Sequence, residues 1–284
     1  MSEADPPSFS LLLPYYRRDD PAFFLRAFRS TVTDQTLKPA QVVLVQDGEV
    51  PDALATVVDE SAAGSPVPVD IVRLPTNRGL ATALEEGLRA CRFEVVARMD
   101  ADDISLPHRF ERQLPMLASG LDLVGAGMLE FEDEVGKVVG RRVPPVGQES
   151  IAKYARFHDP FNHPTVVYRK QAVAAAGGYR DLGLMEDYYL FARMIHSGAK
   201  VGNVAEPLVM YRVSSGAYAR RGGLNQLKAE LMLQRAFRRS RFTTRSQFAR
   251  NIAVRGGYRL VPETLRRVAY RSLIARPPRT DQGR

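Results

Sequence analysis

The sequence lacks most of the features that mark secreted or membrane-embedded proteins. Cys91 is its only cysteine, so no internal disulfide can form, and the chain suits a reducing compartment. No apolar run approaches the roughly 20 residues that a membrane-spanning helix needs. The first residues, 1–8, are polar and contain proline, unlike a secretory signal. These absences predict a cytoplasmic protein, and 45% hydrophobic residues are enough to build a sizeable core.

Acidic residues are scarce in the last quarter of the chain. Residues 217–284 contain 17 Lys/Arg and 3 Asp/Glu, a net charge of +14, whereas residues 1–216 contain 23 Lys/Arg and 29 Asp/Glu, a net charge of −6. The whole chain, at 284 residues, also exceeds the usual size of one domain. We therefore expect a catalytic body, 1–216, and a basic helical extension, 217–284, whose charge suits a polyanionic surface.

The first hundred residues alternate between continuous apolar runs and helical patterns. This alternation predicts an α/β fold with a mostly parallel sheet and helices on both faces. The first run is followed by Pro14, which is expected to end that strand. Further strands are expected in the second half, with an acidic turn around Asp133 and a helix over 188–197. The predicted strands are residues 9–13, 42–45, 69–74, 94–97, 121–132, 137–143, 166–169, 200–205 and 207–213.

Polar residues follow each of the first four predicted strands. The carboxyl ends of parallel strands meet at one edge of the sheet, and ligands of such sheets bind there. Each group taken alone could be ordinary turn chemistry, but four groups at one edge favour a ligand site. The groups are Pro14-Tyr15-Tyr16, Asp47, Asn77-Arg78-Gly79 and Asp100-Ala101-Asp102.

The acidic run from Asp100 to Asp103 contains three carboxylates in four residues. They repel one another, and a divalent cation would compensate for that repulsion. Carboxylate oxygens suit Mg²⁺ or Mn²⁺. The alternative is an acidic surface turn that caps the next helix. We expect Asp103 to cap the helix after Pro107 or to support the ligands.

Six motifs, in this order and at this approximate spacing, resemble those of the inverting family 2 glycosyltransferases of GT-A fold. The resemblance covers residues 9–213, about three quarters of the chain. It implies a transferase of the bacterial polysaccharide or cell-envelope type, with a nucleoside diphosphate sugar as donor and a glycan or lipid-linked acceptor. The motifs are Pro14-Tyr15-Tyr16, Asp34-Gln35-Thr36, Val45-Gln46-Asp47-Gly48, Asn77-Arg78-Gly79, Asp100-Ala101-Asp102-Asp103 and Glu186-Asp187.

On the donor side, the resemblance implies that Tyr16 packs on the nucleotide base and that Asp47 accepts a hydrogen bond from it. Asp100 resembles a residue that contacts ribose and metal, and Asp102 the principal ligand of Mn²⁺ or Mg²⁺. The family usually has an asparagine where this chain has Arg17. The expected nucleotide-sugar contacts are Pro14, Tyr15, Tyr16, Arg17, Asp47, Asn77, Arg78, Gly79, Asp100 and Ala101.

On the acceptor side, the resemblance favours Asp187 as general base, with Glu186 orienting a neighbour or the acceptor. Both acids could instead serve only the helix dipole at the start of their helix. His163 either lines the acceptor pocket or bonds loop backbone. The family often completes its metal site with a histidine where this chain has Ser214, and residues 216–223 form a candidate loop over the diphosphate.

The extension carries two basic amphipathic patterns. One begins at Leu224, and the other begins at Pro262. Such helices suit an anionic membrane surface, where the protein would be peripheral. Packing of their apolar faces on the body is the alternative, and it is compatible with the membrane contact that we favour.

Two other functions compete with sugar transfer. A sugar nucleotidyltransferase would need a glycine-rich loop after the first strand, and residues 14–17 contain no glycine. A non-enzymatic protein that binds polyanions or nucleic acid would use the arginines of the extension, but few aromatic residues lie among them. We therefore expect no nucleic-acid partner, while an oligomer remains open.

Overall fold

The structure is a computed structural model that describes residues 6–132, 137–213 and 223–260. The strands are β1 (Phe9–Tyr16), β2 (Gln41–Asp47), β3 (Val69–Leu74), β4 (Val95–Arg98), β5 (Ile104–Ser105), β6 (Leu123–Phe131), β7 (Val138–Arg142), β8 (Val167–Arg169) and β9 (Val201–Arg212). The helices are α1 (Pro21–Val32), α2 (Asp52–Ala63), α3 (Leu80–Ala90), α4 (Arg109–Ala118), α5 (Gln148–Tyr154), α6 (Lys170–Ala175), α7 (Glu186–His196), α8 (Leu224–Arg239), α9 (Arg245–Asn251) and α10 (Gly257–Leu260).

The strands form one mixed sheet in the order β3-β2-β1-β4-β8-β6-β9-β5, with β7 also paired to β6. Strands β3, β2, β1 and β4 are parallel, and most paired residues of the sheet lie in parallel ladders. The register places Tyr16 beside Asp47, and Asp47 beside Leu74. The polar groups after these strands therefore share one edge, and the predicted α/β fold is confirmed.

Helices cover both faces of the sheet. On one face, α1 and α4 bury Phe24 and Phe110 against the strands. On the other face, α3 and α7 bury Leu84 and Phe191. Both faces of the central strands are thus buried. This is why these strands are continuous apolar runs and do not alternate between apolar and polar residues.

The prediction that Pro14 ends the first strand is wrong, because β1 continues to Tyr16. β1 pairs with β4 only as far as Leu12. Beyond that residue the strand has a neighbour on one side alone, so a missing N–H is tolerated.

The two strands predicted around residues 200–213 are a single strand, β9. Its pairing with β6 shifts register between Ala126 and Gly127, and Pro207 lies at that irregularity. A bulge of this kind accommodates a residue that cannot donate a ladder hydrogen bond. The chain therefore bends there without leaving the sheet.

The described part of the extension packs against the body. Ala229, Leu233 and Phe237 of α8 bury their side chains against Tyr188 and Ala192 of α7. The apolar face of α8 therefore packs on the body, as one of the two predictions for this helix had it. The boundary predicted at residue 216 stays a prediction.

Buried charges also fix this extension. Glu230, at 0% exposure, accepts hydrogen bonds from Arg255 and Arg259. Arg255 donates as well to the carbonyl of Phe157 at 2.9 Å. Three other predicted features, the acidic turn around Asp133, the loop that carries Arg220 and Arg221, and the helix from Pro262, lie outside the described residues. No described helix has the length and apolarity needed to span a membrane.

Candidate active site

The end of β1 presents one tyrosine and buries the other. Tyr16 is 39% exposed, whereas Tyr15 is 2% exposed, packs edge-on to Phe24 and donates its hydroxyl to Gln46. Strand alternation directs the Tyr15 side chain into the core, and its contact with the donor stays a prediction. Pro14 is also buried, and the following Arg17 is exposed.

The end of β2 is joined to the turn before α3 through Asp47. Its two carboxylate oxygens accept the N–H groups of Arg78, at 2.6 Å, and Gly79, at 2.9 Å, and Asn77 Nδ2 donates to its main-chain oxygen. Gly48 has a φ of +84°, and a Cβ there would lie 2.5 Å from the nitrogen of Asn77. The predicted residues of these two motifs thus form one rigid turn.

The guanidinium of Arg78 is directed along α3. Its Nη1 lies 3.9 Å from Glu86, and its side chain is 55% exposed. Arg78 thus lies just before the N-cap of α3, with an exposed guanidinium beside an acid of that helix.

At the end of β4, Asp100 is bound by an arginine that the sequence reading gave no role. Arg98 Nη1 donates to Asp100 Oδ2 at 2.7 Å, and Nη2 donates to the other oxygen. The Arg98 side chain is 1% exposed and that of Asp100 is 28% exposed. Burial opposes the charge of Arg98, but the carboxylate offsets it and holds the arginine pKa above its usual value. Ala101, next in the chain, is buried.

Asp102 and Asp103 have different surroundings. Burial, with the charge of Asp100, raises the pKa of Asp102 to about 6, and Arg212 opposes this rise. Asp103 is 1% exposed and accepts the N–H of Arg212 at 2.9 Å. The prediction that Asp103 caps the next helix is wrong, because α4 begins after His108 and Asp103 instead ties the acidic turn to β9.

Asp19 is an additional carboxylate at this edge that was missed in the sequence. Its Oδ2 accepts the N–H of Tyr16 at 2.8 Å. Burial raises its pKa to about 7, and the charges of Asp102 and Asp100 act in the same direction. The sequence gives little sign of this role, because Asp19 lies in a polar turn beside Asp20, which caps α1.

The donor set at this edge fits a divalent cation that shares its ligands with a substrate. Asp102 is a partly buried carboxylate under repulsion from two others, and a cation would relieve that repulsion. Within the described residues, no three His, Cys, Asp or Glu side chains are grouped to hold a metal. Mg²⁺ and Mn²⁺ sites commonly use one or two carboxylates, with water and substrate phosphates as the other ligands. Ser214, which stands where the family often has a histidine that completes the metal site, lies outside the described residues.

Glu186 and Asp187 form the first turn of α7. Burial and the charge of Asp187 raise the pKa of Glu186 to about 7. Burial also raises the pKa of Asp187, although its Oδ1 accepts the N–H of Tyr188 and Arg98 lies near. The charge of Asp100 contributes to that rise, so the strand-end acids and the α7 acids share one electrostatic environment.

His163 lies behind Asp187 instead of lining an open pocket. Its ring is 8% exposed, with Nε2 at 2.9 Å from the hydroxyl of Tyr179 and Nδ1 at 3.8 Å from Asp187 Oδ2. The ring has little free surface, and the contact of His163 with the acceptor stays a prediction. The turn His163–Thr165 packs it between the sheet and α7.

Asp159 is a further acid on the acceptor side that the sequence reading did not single out. Burial and the charge of Asp187 raise its pKa well above the usual value, while Arg142 and Arg255 oppose this. The candidate site therefore gathers carboxylates from the turns after β1 and β4, from the start of α7 and from the segment before His163. Such a site can hold a cation at one side and accept a proton at the other.

A mostly parallel sheet flanked by helices, with polar groups gathered at the carboxyl ends of its strands, is typical of the GT-A fold. The sequence model of Glycosyl transferase family 2 matches residues 10–177. The chain belongs to this family, and it is a glycosyltransferase. The nucleotidyltransferase and nucleic-acid alternatives are therefore set aside.

The relatives agree with this assignment. The amylovoran biosynthesis glycosyltransferase AmsE of Erwinia amylovora is 40% identical over 229 residues, 80% of this chain and 84% of that protein. The UDP-Gal:alpha-D-GlcNAc-diphosphoundecaprenol beta-1,3-galactosyltransferase of Escherichia coli is 33% identical over 96% of this chain and 98% of its own length. Among solved structures, the mannosyltransferase PcManGT of Pyrobaculum calidifontis, in complex with GDP-Man and Mn²⁺, superposes with a TM-score of 0.63 at 16% identity, covering 95% of this chain and 77% of that one. This last similarity supports the GT-A fold.

Proposed function

We propose that this chain is a metal-dependent, inverting glycosyltransferase that moves a hexose from a UDP-sugar to a lipid-linked or glycan acceptor. One observation carries the proposal: Arg98 donates to both oxygens of Asp100, and its charge also acts on Asp102 and on Asp187 at the start of α7. The donor and acceptor classes rest on the name of the Escherichia coli relative, which covers almost the whole chain.

The donor is proposed to bind across the ends of β1, β2 and β4. Tyr16 offers an exposed ring for the base, and Asp47 keeps acceptor capacity beyond the two N–H groups that it binds. Arg17 and Arg78 add positive charge to this edge. The turn at Asn77 is positioned by Asp47, so a change in either motif alters the same pocket.

Asp102 is proposed as the principal ligand of Mn²⁺ or Mg²⁺. When bound, such a cation acts as a Lewis acid that stabilises the negative charge developing on the leaving diphosphate. The sequence predicts that Asp100 contacts both ribose and metal; its contact with Arg98 bears on that choice and is taken up below.

Asp187 is proposed as the general base. In an inverting transfer, the acceptor hydroxyl attacks the anomeric carbon from the side opposite the diphosphate and loses its proton to a base. A base whose pKa is raised toward the working pH accepts that proton more readily than an ordinary exposed aspartate. Glu186, beside it, is proposed to orient the acceptor.

The exposed face of α8 is proposed to contact an anionic membrane surface. Because the opposite face packs on α7, only this side is available. It carries Leu224, 68% exposed, and Met232, 48% exposed, beside basic side chains. Basic residues with apolar neighbours on one helix face favour the interface of an anionic bilayer. The oligomeric state and the cytoplasmic location stay predictions.

The test is a donor screen followed by two substitutions. UDP-, GDP- and dTDP-sugars are incubated with Mn²⁺ and a synthetic lipid-diphosphate-linked sugar, and transfer is measured by mass spectrometry. Asp102→Asn should weaken UDP binding in the presence of Mn²⁺, and Asp187→Asn should keep donor binding but lose transfer by about 100-fold or more, as expected for a general base.

The matched control is Glu111→Gln, an exposed acid on α4 that should leave both properties unchanged. Equal UDP–Mn²⁺ affinity in Asp102→Asn removes the metal assignment. An active Asp187→Asn enzyme removes Asp187 as the base.

A further inference from the structure

Arg98 is a buried cation beside the acidic turn. It is the last residue of β4, its side chain is 1% exposed, and its two terminal nitrogens both donate to the carboxylate of Asp100. Its Nε is buried without a hydrogen-bond partner among the described residues. The charge of this arginine is therefore compensated chiefly through one carboxylate.

The two hydrogen bonds from Arg98, called the fork below, use both oxygens of Asp100. An end-on arginine–carboxylate pair fixes the plane of the carboxylate as well as its charge. For Asp100 to turn toward a cation, the fork would have to open and leave a buried guanidinium without its partner, which costs considerable free energy. Asp102, two residues later, is subject instead to repulsion from Asp100.

We propose that Arg98 is a positioning residue that withholds Asp100 from the divalent cation and holds it for the hydroxyl groups of the donor, leaving Asp102 to bind the metal. The inference rests on the proposed function, since it assigns separate tasks to two acids of the same site. It predicts an outcome of unusual sign: removing Arg98 strengthens metal binding while it weakens transfer.

Arg98 also faces the acceptor side. Its charge lowers the pKa values of Glu186 and Asp187 and contributes to keeping His163 neutral. A substitution that keeps the charge but not the fork separates these two effects. Lysine does so, because it is a point charge that cannot bind both oxygens in one plane.

The experiment measures Mn²⁺ binding without donor, by electron paramagnetic resonance, on folded full-length protein. Arg98→Met should bind Mn²⁺ about tenfold more tightly than the parent, because a nearby positive charge is removed and Asp100 is freed. Arg98→Lys should bind it within about threefold of the parent, because the charge remains. Both variants should transfer sugar at least about tenfold more slowly, because Asp100 is no longer oriented.

A double-mutant cycle guards against a folding defect. Asp100→Asn alone should weaken Mn²⁺ binding by no more than about tenfold, because a negative charge near the metal is lost but no ligand is. Asp100→Asn in the Arg98→Met background should abolish the gained affinity. Arg169→Met is the matched control, because Arg169 binds backbone carbonyls beside the opposite end of β4. It should leave Mn²⁺ affinity unchanged.

The outcomes separate this inference from the proposed function. If Arg98→Met is folded and binds Mn²⁺ no more tightly than the parent, or if Asp100→Asn alone abolishes binding, the withholding role is wrong. If the parent binds no Mn²⁺ even with UDP present, the metal-dependent function itself fails.

Discussion

The Nδ1 atom of His163 lies 3.8 Å from Oδ2 of Asp187, and the ring is fixed from its other side by the hydroxyl of Tyr179. Burial, with the charge of Arg98, lowers the pKa of His163 well below its usual value, so the ring is neutral. The Nε2 atom of this neutral ring pairs with the Tyr179 hydroxyl, and its Nδ1 atom faces Asp187. His163 is thereby fixed as a neutral group behind the candidate base.

Tyr179→Phe should therefore weaken catalysis without weakening donor binding. Loss of one hydrogen bond of about 1 kcal/mol should lower kcat roughly five- to tenfold, because the ring that supports Asp187 is less well fixed. Steady-state kinetics should show an unchanged KM for the donor. Tyr154→Phe, 40% exposed before substitution, is the control and should behave like the parent. A change confined to KM would remove the supporting role of this pair.

The fall of kcat at low pH should reflect protonation of the two acids that begin α7. Asp187 acts as a base only when deprotonated, and burial raises its pKa above the usual value, while Glu186 reaches about 7. The two acids titrate as a pair, so kcat should rise with pH through an apparent pKa near that of Glu186. In Glu186→Gln this fall should move to lower pH, because the remaining acid no longer shares the site with a second negative charge. The measurement is kcat against pH, and a fall at the same pH as in the parent would contradict the coupling.

The extension should be part of the cooperative fold. Phe237 is 1% exposed and packs edge-on against Tyr188, at 5.1 Å between ring centroids. Phe237→Ala should lower the free energy of unfolding by about 3–5 kcal/mol, the usual cost of emptying a buried aromatic site. Met232→Ala, on the exposed side of the same helix, should change it by less than about 0.5 kcal/mol. Urea denaturation measures both; an unchanged stability in Phe237→Ala would mean that α8 does not support the body.

Contact with a membrane should depend on the exposed face of α8. Replacing Arg235 and Arg239 by glutamate should reduce flotation with anionic liposomes by about tenfold or more, since each basic residue near such a surface contributes about 1 kcal/mol. Neutral liposomes and high salt should abolish binding of the parent. Lys153→Glu, at an exposed position on α5, is a charge-reversal control on another helix. Equal flotation of the double variant and the parent would remove this face as the contact.

Much of the fold could be predicted from the sequence because its signals are local. Alternating apolar runs and helical patterns fixed four parallel strands, and the polar group after each strand had to reach the same edge. The bounds of β3 match the prediction of a strand over residues 69–74. The predictions at Pro14 and Pro207 were wrong because a strand tolerates proline only where the adjacent strand does not need its N–H. The adjacent strands cannot be identified from a single sequence.

The sequence by itself determined the family to which the chain belongs, and it predicted which acids carry the chemistry: Asp100, Asp102, Glu186 and Asp187. Only the tertiary structure decided how these acids are held and which charges surround them. It buried Arg98 against Asp100, placed His163 behind Asp187 and tied Asp103 to β9. The physical reason is that charge compensation and burial depend on distances between residues remote in sequence, which local patterns do not encode.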